Sequence, residues 1–464
     1  MNRIRRLLFT ALALFALVAG PLAARDPGSF LPTQARDPLT WGTFTSCLDV
    51  LERWVGSRTP DWVFHTAELG YRARTPLYGP DGTSLLDPQG QPRAGTAQLS
   101  GRVFFPPAWR AGDWARIPIV IYSHGTTLNK DSVASAFRGH EWMFGAAAAA
   151  YYGFAVAMPD QPGMGSDGAA YHPFCHARSL AYAVVDAIPA IQALFGQDPY
   201  LVEHHYAWDG RVFLLGYSEG GYATLAAARE METHRDDFGG EAGFILAGSA
   251  CMAGPFGLSG TTRRSVLDPS WAFPHPFFIP YVIQAYHAVY GARLDPLEAL
   301  APALLAPGED GDILAWTRGG MEGLAADQRI AARLGVAPGQ VVARAMLNPD
   351  WVRRELEPPG FPDSTVGRIL VENDLTGGWL PTGPILFCQA PDDRDVPMQN
   401  TLDTLAGLGQ ALREAGRDPA ATLVFKPLPA GLDHVTGVFF ALPEAFDWIY
   451  QGAPAGLGAM PAAD

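Results

Sequence analysis

Residues 211–228 read Arg-Val-Phe-Leu-Leu-Gly-Tyr-Ser-Glu-Gly-Gly-Tyr-Ala-Thr-Leu-Ala-Ala-Ala. An apolar β-type run enters Gly216-Tyr217-Ser218-Glu219-Gly220, and a helix-forming Ala/Leu stretch follows at once. A chain can pass from strand to helix over so few residues only through a sharp turn. Such a turn holds the serine at its apex in a strained conformation, with the hydroxyl presented above the sheet and able to attack a carbonyl. Glycine is required at 216 and 220 because a Cβ at either place would collide where strand and helix meet.

A serine hydroxyl needs a base, and the base needs an acid to orient it. With a strand–turn–helix nucleophile the expected chain order is Ser, acid, His. The histidines after Ser218 are His234, His275, His287 and His434. Only His434 falls between a strand-like run (residues 421–428) and a helix-like one (residues 439–450). The strand-like segment 383–388 precedes these and ends in Gln389-Ala-Pro-Asp392-Asp393-Arg-Asp395-Val-Pro397, a loop that offers three carboxylates.

The N-terminus has the chemistry of a targeting segment. Arg3, Arg5 and Arg6 precede an apolar run from Leu7 to Val18, then Gly20-Pro21 and the small residues Ala23-Ala24. Residues 1–24 are therefore expected to be a signal peptide cleaved near Ala24, leaving an exported protein, periplasmic or extracellular. No further uninterrupted hydrophobic run reaches about 18 residues, so no stable membrane span is expected in the mature chain. The net charge of −14, without a basic run, argues against nucleic acid as a partner. Cys47, Cys175, Cys251 and Cys388 match no zinc spacing, so no metal or other cofactor is expected. Cys251 and Cys388 lie near the ends of two strands expected to be neighbours, which leaves a disulfide or two buried thiols open.

Along the chain, Trp41–Val55 reads as a helix. Thr66–Arg74 and Gly95–Phe105 read as leading antiparallel strands. Ile117–Tyr122, Tyr152–Met158, the segment before Ser218 and Phe244–Ala247 read as short buried strands, with helices between them such as 177–195. That alternation argues for a parallel sheet covered on both faces. It breaks between Pro255 and Thr382, where a crossover needs only about a dozen residues. This stretch reads as helices interrupted by proline and glycine (280–290, 296–305, 311–324, 327–334 and 340–347), preceded by the aromatic-rich Trp271–Tyr281. Residues 452–464 read as a frayed tail.

These features resemble the α/β-hydrolase superfamily over roughly Thr66 to Gln451. The resemblance is carried by Gly216-Tyr-Ser218-Glu-Gly220, the His124-Gly125-Thr126 loop, Asp160-x-x-Gly163-x-Gly165, Asp393-Arg-Asp-Val-Pro397 and His434. Within it the chain is similar to secreted lipases and esterases of the fungal lipase-A type and their bacterial relatives. The likeness rests on the helix Arg178–Ile188 and on the place of the long insertion. It implies an α/β-hydrolase fold, a mostly parallel sheet with helices on both faces, formed by residues 25–254 and 383–451. A helical cap, residues 255–382, would be inserted between the sixth strand and the acid-bearing strand.

The resemblance also implies roles. Ser218 would be the nucleophile and His434 the base. Asp393 would be the acid, because the family places it four residues before the proline of a Val-Pro pair. The oxyanion would meet the backbone N–H of Glu219 and that of Thr126, with Thr127 or Gly125 as alternatives. His124, Tyr217, Phe277 and Phe278 would line or shape the substrate pocket, and Asp160 would fix the Gly-rich turn through backbone hydrogen bonds. The implied activity is hydrolysis of a small-molecule or lipid ester through an acyl-enzyme. A peptidase or acyltransferase on the same triad, or a non-catalytic binding protein on this scaffold, are the alternatives. Nothing in the sequence sets an oligomeric state.

Overall fold

A computed structural model describes residues 39–40 and 63–452, apart from 80–82, 89, 91, 107–114, 170, 235–242, 307–310, 312 and 358. The expected signal peptide, the 41–55 helix, Cys47 and the tail after 452 lie outside these residues. The strands of the first half are β1 (Leu39–Thr40), β2 (Val63–Pro76), β3 (Ala94–Phe105), β4 (Ala115–Ser123), β5 (Ala155–Pro159), β6 (Tyr206–Tyr217) and β7 (Ile245–Met252). A short pair, β8 (Ala272–Phe273) and β9 (Val341–Val342), belongs to the long insertion, and β10 (Ile385–Gln389) and β11 (Leu423–Pro427) follow it.

Among the described residues the main sheet has the order β1-β2-β3-β5-β4-β6-β7-β10-β11. The leading strands are antiparallel, and every pair from β5 through β11 is parallel. β5, β10 and the inner ends of β4 and β6 are buried, as expected of strands covered on both faces. Pro118 interrupts β4, where it cannot donate to the ladder, and the register with β6 shifts between Ile117 and Ile119.

Two helices, α1 (Glu141–Tyr152) and α9 (His434–Gly452), cover one face through Phe144, Ala146–Ala150 and Ala441–Ile449. On the other face lie α2 (Ala177–Val185), α3 (Ala187–Gln197), α4 (Glu219–Thr233) and part of α8 (Gln399–Glu414). The expected single helix 177–195 is two, because Pro189 lacks the N–H that would reach the Val185 carbonyl. Asp186 sits at the break and accepts from the Arg74 backbone N–H (2.6 Å) and side chain (3.0 Å). The α2–α3 pair is long and apolar enough to cross a membrane. α2, however, is almost wholly buried against β2 and α4, so the core accounts for its composition.

Between β7 and β10 none of the described residues adds a strand to the main sheet. It forms a π-turn (Leu258–Thr262), α5 (Phe278–Tyr290), α6 (Gly323–Leu334), α7 (Thr365–Glu372) and several shorter turns of helix. Three expected helices come out differently, the first being 296–305, which is broken into Pro296–Ala299 and Pro302–Leu305 with Leu300 and Ala301 extended between them. Of the described residues in 311–324 only Ile313–Trp316 and the last two, which begin α6, are helical, since Gly319 takes φ 103° between them. In 340–347 the β-branched pair Val341-Val342 joins Ala272–Phe273 as β9, and a 3-10 turn follows. The buried residues of this insertion, among them Phe277, Tyr281, Ile283 and Trp351, form one continuous apolar core with the α2/α4 face of the sheet.

The cysteine alternatives also resolve. Cys175, Cys251 and Cys388 are buried free thiols. In the β7/β10 ladder Cys251 stands opposite Phe387, and Cys388 opposite Met252. Adjacent positions on a strand point to opposite faces, so the two sulfurs sit in different core layers.

Candidate active site

Ser218 joins β6 to α4 with φ 60° and ψ −127°, a conformation costing about 1–3 kcal/mol that its surroundings must impose. Its N–H donates to the Met252 carbonyl (2.9 Å), and its carbonyl receives the Tyr222 N–H (3.0 Å). A Cβ on Gly216 would lie 2.2 Å from the Gly220 oxygen, and one on Gly220 would lie 2.0 Å from the Ser123 oxygen. Both glycines are therefore obligatory for the close packing of α4 on β4 and β6.

Asp393 and His434 come from the loops after β10 and β11, and His434 reaches the serine. His434 Nε2 is 2.7 Å from Ser218 Oγ, and His434 Nδ1 is 2.6 Å from Asp393 Oδ2. An ionised carboxylate only accepts, so Nδ1 carries a proton and Nε2 is free to accept the serine proton. The Asp393 carboxylate also receives Gln389 Nε2 (2.9 Å) and the backbone N–H groups of Asp395 (3.1 Å) and Val396 (2.9 Å). Burial works against a charged His434. The Asp393 charge and hydrogen bond outweigh it, with Asp395 and Asp433 adding to them, so the imidazole titrates above its ordinary range.

The neighbouring carboxylates have other work. Asp392 Oδ2 accepts the Gly431 N–H at 2.6 Å, tying the acid loop to the loop before His434. Asp433 accepts the Thr436 N–H (2.8 Å) at the start of α9, the bond of an N-cap. His434 itself is the first residue of α9, several residues earlier than the expected helix start.

The loop after β4 narrows the expected oxyanion donors. Both oxygens of Glu141, at the N-terminus of α1, accept the Gly125 N–H (2.8 and 3.0 Å), and Tyr122 Oη donates to the same carboxylate (2.6 Å). Gly125 is thereby engaged, which leaves Thr126 and Thr127 of the three N–H groups expected from this loop. Burial raises the Glu141 carboxyl above the usual carboxylate range, offset in part by His124, Tyr122 and the Gly125 N–H. Glu219, the first residue of α4, has one of the N–H groups that no carbonyl within the helix can reach.

The Glu219 side chain turns inward, and its Oε1 lies 2.6 Å from His172 Nε2 with both side chains about 1% exposed. His172 Nδ1 is 2.7 Å from the Pro162 carbonyl, which can only accept, so Nδ1 must donate. One further proton is then shared between Nε2 and Glu219, and the pair is neutral as a unit whichever atom holds it. Glu141 and His172 carry no motif. They are visible only once β4, β6 and the loop after β5 lie side by side.

The remaining expected residues take particular places. His124 is buried, with Nδ1 2.8 Å from the Gly125 carbonyl, and its own carbonyl accepts Gln161 Nε2 (3.0 Å). Tyr217 is 4% exposed and donates its hydroxyl to the His434 carbonyl (2.8 Å), so it lies beneath the imidazole. Phe277 is buried against Gly323, where a Cβ would come within 2.7 Å of its ring. Phe278 is half-buried, with its ring near those of Phe174 (6.0 Å) and His275 (6.0 Å). Asp160 works on the Gly-rich turn by a different route from the direct one expected. It accepts Ser100 Oγ (2.6 Å), and that hydroxyl accepts the Ser166 N–H (3.0 Å).

The inserted segment touches both loops of the site. Tyr281 Oη donates to the Thr127 carbonyl (3.3 Å). Trp271 Nε1 donates to the Arg394 carbonyl (2.9 Å), and the His275 N–H donates to Asp395 Oδ1 (3.0 Å).

No protein-family model and no curated sequence matches the chain. Solved structures do. A hydrolase from Legionella pneumophila aligns with TM-score 0.66 and 18% identity, covering 89% of this chain and 95% of that one. The rice cell wall degrading esterase LipA from Xanthomonas oryzae gives 0.63 and 20%, over 87% and 94%. Candida antarctica lipase A in its closed state gives 0.54 and 13%, over 96% and 87%. At such identities the likeness speaks to architecture, and it agrees with the strand order, the turn at Ser218 and the helices on both faces: the chain has the α/β-hydrolase fold.

Proposed function

We propose that this protein is an exported serine hydrolase that cleaves carboxylic esters, small or lipid-like, through an acyl-enzyme. The observation that carries the reading is the unbroken hydrogen-bond chain Ser218–His434–Asp393 at the apex of a strained turn. The esterase and lipase among the structural neighbours support it.

Ser218 Oγ attacks the ester carbonyl carbon while His434 Nε2 takes the hydroxyl proton. Asp393 keeps Nδ1 protonated and stabilises the imidazolium. The carbonyl oxygen gains the negative charge and is met by the N–H groups of Glu219 and Thr126. Collapse breaks the bond to the alkoxy group, which leaves as the alcohol with the proton from His434. Water then repeats the sequence on the acyl-serine, releasing the acid and restoring the Ser218 hydroxyl.

In this reading residues 25–254 and 383–451 form the core, and 255–382 form a cap over Ser218. The contacts of Tyr281, Trp271 and His275 with the two active-site loops support that division. Export rests on the signal-like chemistry of residues 1–24.

A fluorophosphonate probe tests the assignment. One label is expected, on the peptide spanning Gly216–Gly221, and Ser218→Ala should abolish both label and turnover in a folded protein. A label on another serine would overturn it. Nitrophenyl esters from acetate to palmitate, run beside aminoacyl-nitroanilides, separate an esterase from a peptidase.

A further inference from the structure

We propose that His275, on the cap, is a positioning residue for the acid–base pair: it docks the acid loop against the cap and offsets the charge that Asp395 presents to His434. The proposal rests on the ester-hydrolase reading of the same site and adds a residue that neither the Ser-acid-His order nor the glycine motifs pick out.

His275 lies between two buried carboxylates. Its Nδ1 is 2.9 Å from Asp327 Oδ2 on α6, and its Nε2 is 3.9 Å from Asp395 Oδ2 on the acid loop. The Asp327 and Asp395 side chains are only 5% and 2% exposed, while His275 is 26% exposed. Asp327 is further fixed by the Phe277 N–H at 2.9 Å. On the other side the N–H of Asp395 donates to Asp393 Oδ1, the carboxylate that holds His434. One connected path therefore runs from the cap helix through Asp327, His275, Asp395, Asp393 and His434 to Ser218.

Charge gives this path its meaning. The groups facing His434 are Asp393 and Asp395 from the acid loop, Asp433 beside it, the Tyr217 phenol beneath it and, across the interface, His275. Of these carboxylates only Asp393 bonds the imidazole. Asp395 contributes charge without a bond, and a bare buried carboxylate there would overstabilise protonated His434 and deplete the neutral base.

The groups facing His275 are Asp327, Asp395 and His434. Burial disfavours its imidazolium and so does His434. The Asp327 bond and the Asp395 charge outweigh both, so His275 also titrates above the ordinary imidazole range. A cation there offsets the Asp395 charge and leaves Asp393, with Asp433 beside it, to act on His434.

His275→Gln tests the effect, because it keeps the backbone N–H that bonds Asp395 and removes the ring with its charge and its bond to Asp327. The acid limb of kcat/KM is expected to move up, with the half-maximal proton concentration falling roughly tenfold, the scale of one nearby charge. kcat at neutral pH should fall with KM little changed. Adding Asp395→Asn to His275→Gln should return the limb to its parental place.

His434 can also be titrated directly by NMR in histidine-labelled Ser218→Ala protein, with and without His275→Gln. The same upward displacement is expected. That measurement needs no turnover, so an active Ser218→Ala protein would sink the ester-hydrolase reading while the His275 question is still answered by the titration. If His275→Gln does not fold, Asp327→Asn weakens the His275 charge from the other side and should move His434 in the same direction. A His434 titration and an acid limb that stay in place, even beside a lowered Tm, would reduce His275 to packing and overturn the proposal.

Discussion

The acid loop carries three aspartates within four residues, and their surroundings separate them. Asp393 is buried and receives four N–H groups, one of them from His434. Asp392 reaches outward to Gly431, and Asp395 faces His275. Asp393→Asn should therefore lower kcat by about 10⁴, since an amide in its place favours the wrong imidazole tautomer. Asp392→Asn should cost far less, and steady-state kinetics on one nitrophenyl ester decides between them. If Asp392→Asn were the crippling change, the loop would be out of register by one residue. At this scale the residues that announce themselves in sequence are those tied to chain order and to obligatory glycines. Ser218 and His434 could be singled out by that order, and they stand 2.7 Å apart. Glu141, His172 and His275 could not be found this way. Each acts by meeting a group far away in the chain, and a lone Glu or His has no spacing that records such a meeting.

Among elements, β-strands were legible where runs of Val, Ile, Leu and Phe are bounded by turn residues. Their ends were not, because pairing extends them: β6 begins at Tyr206, and the apolar run only at Val212. In the insertion, two helices lacked a long periodic stretch yet carried their caps openly. Asn348-Pro349 starts one and Ser364 the other, each side chain accepting an N–H of the first turn. The adjacent phenylalanines of this segment should part company on substitution. Phe277 is buried against Gly323, so Phe277→Ala should destabilise by about 3–5 kcal/mol, visible as a lowered Tm. Phe278 is half-buried beside Phe174 and His275, so Phe278→Ala should shift the preferred acyl length with a smaller loss of Tm. A chain-length profile unchanged in Phe278→Ala would mean that this ring only packs.

For the molecule as a whole, the site is the meeting point of three strand ends, and its electrostatics are those of a burial zone rich in carboxylates. His434 must be neutral to accept the serine proton, and Asp393 with its neighbours favours the charged form over the counter-effect of burial. The pH profile of kcat/KM should accordingly fall as pH drops through a value above the ordinary imidazole pKa of about 6.5. Initial rates from about pH 5 to 9 in constant ionic strength would measure it, and a limb centred in the carboxylate range would rule out His434 as the base. The alternation of strands and helices was enough to indicate the parallel sheet. The apolar core shared by sheet and insertion was not apparent, since it is set by which helix faces meet.

β10 pairs with β7, yet the whole span between Met252 and Ile385 must be made before it can do so. Synthesis runs from the N-terminus, so the strands that carry Ser218 are translated well ahead of those that deliver its acid and base. On the proposed roles, chemical competence arrives only with residue 434, late in a chain of 464. In the proposed reading, a chain that ends before residue 434 would hold Ser218 without its base.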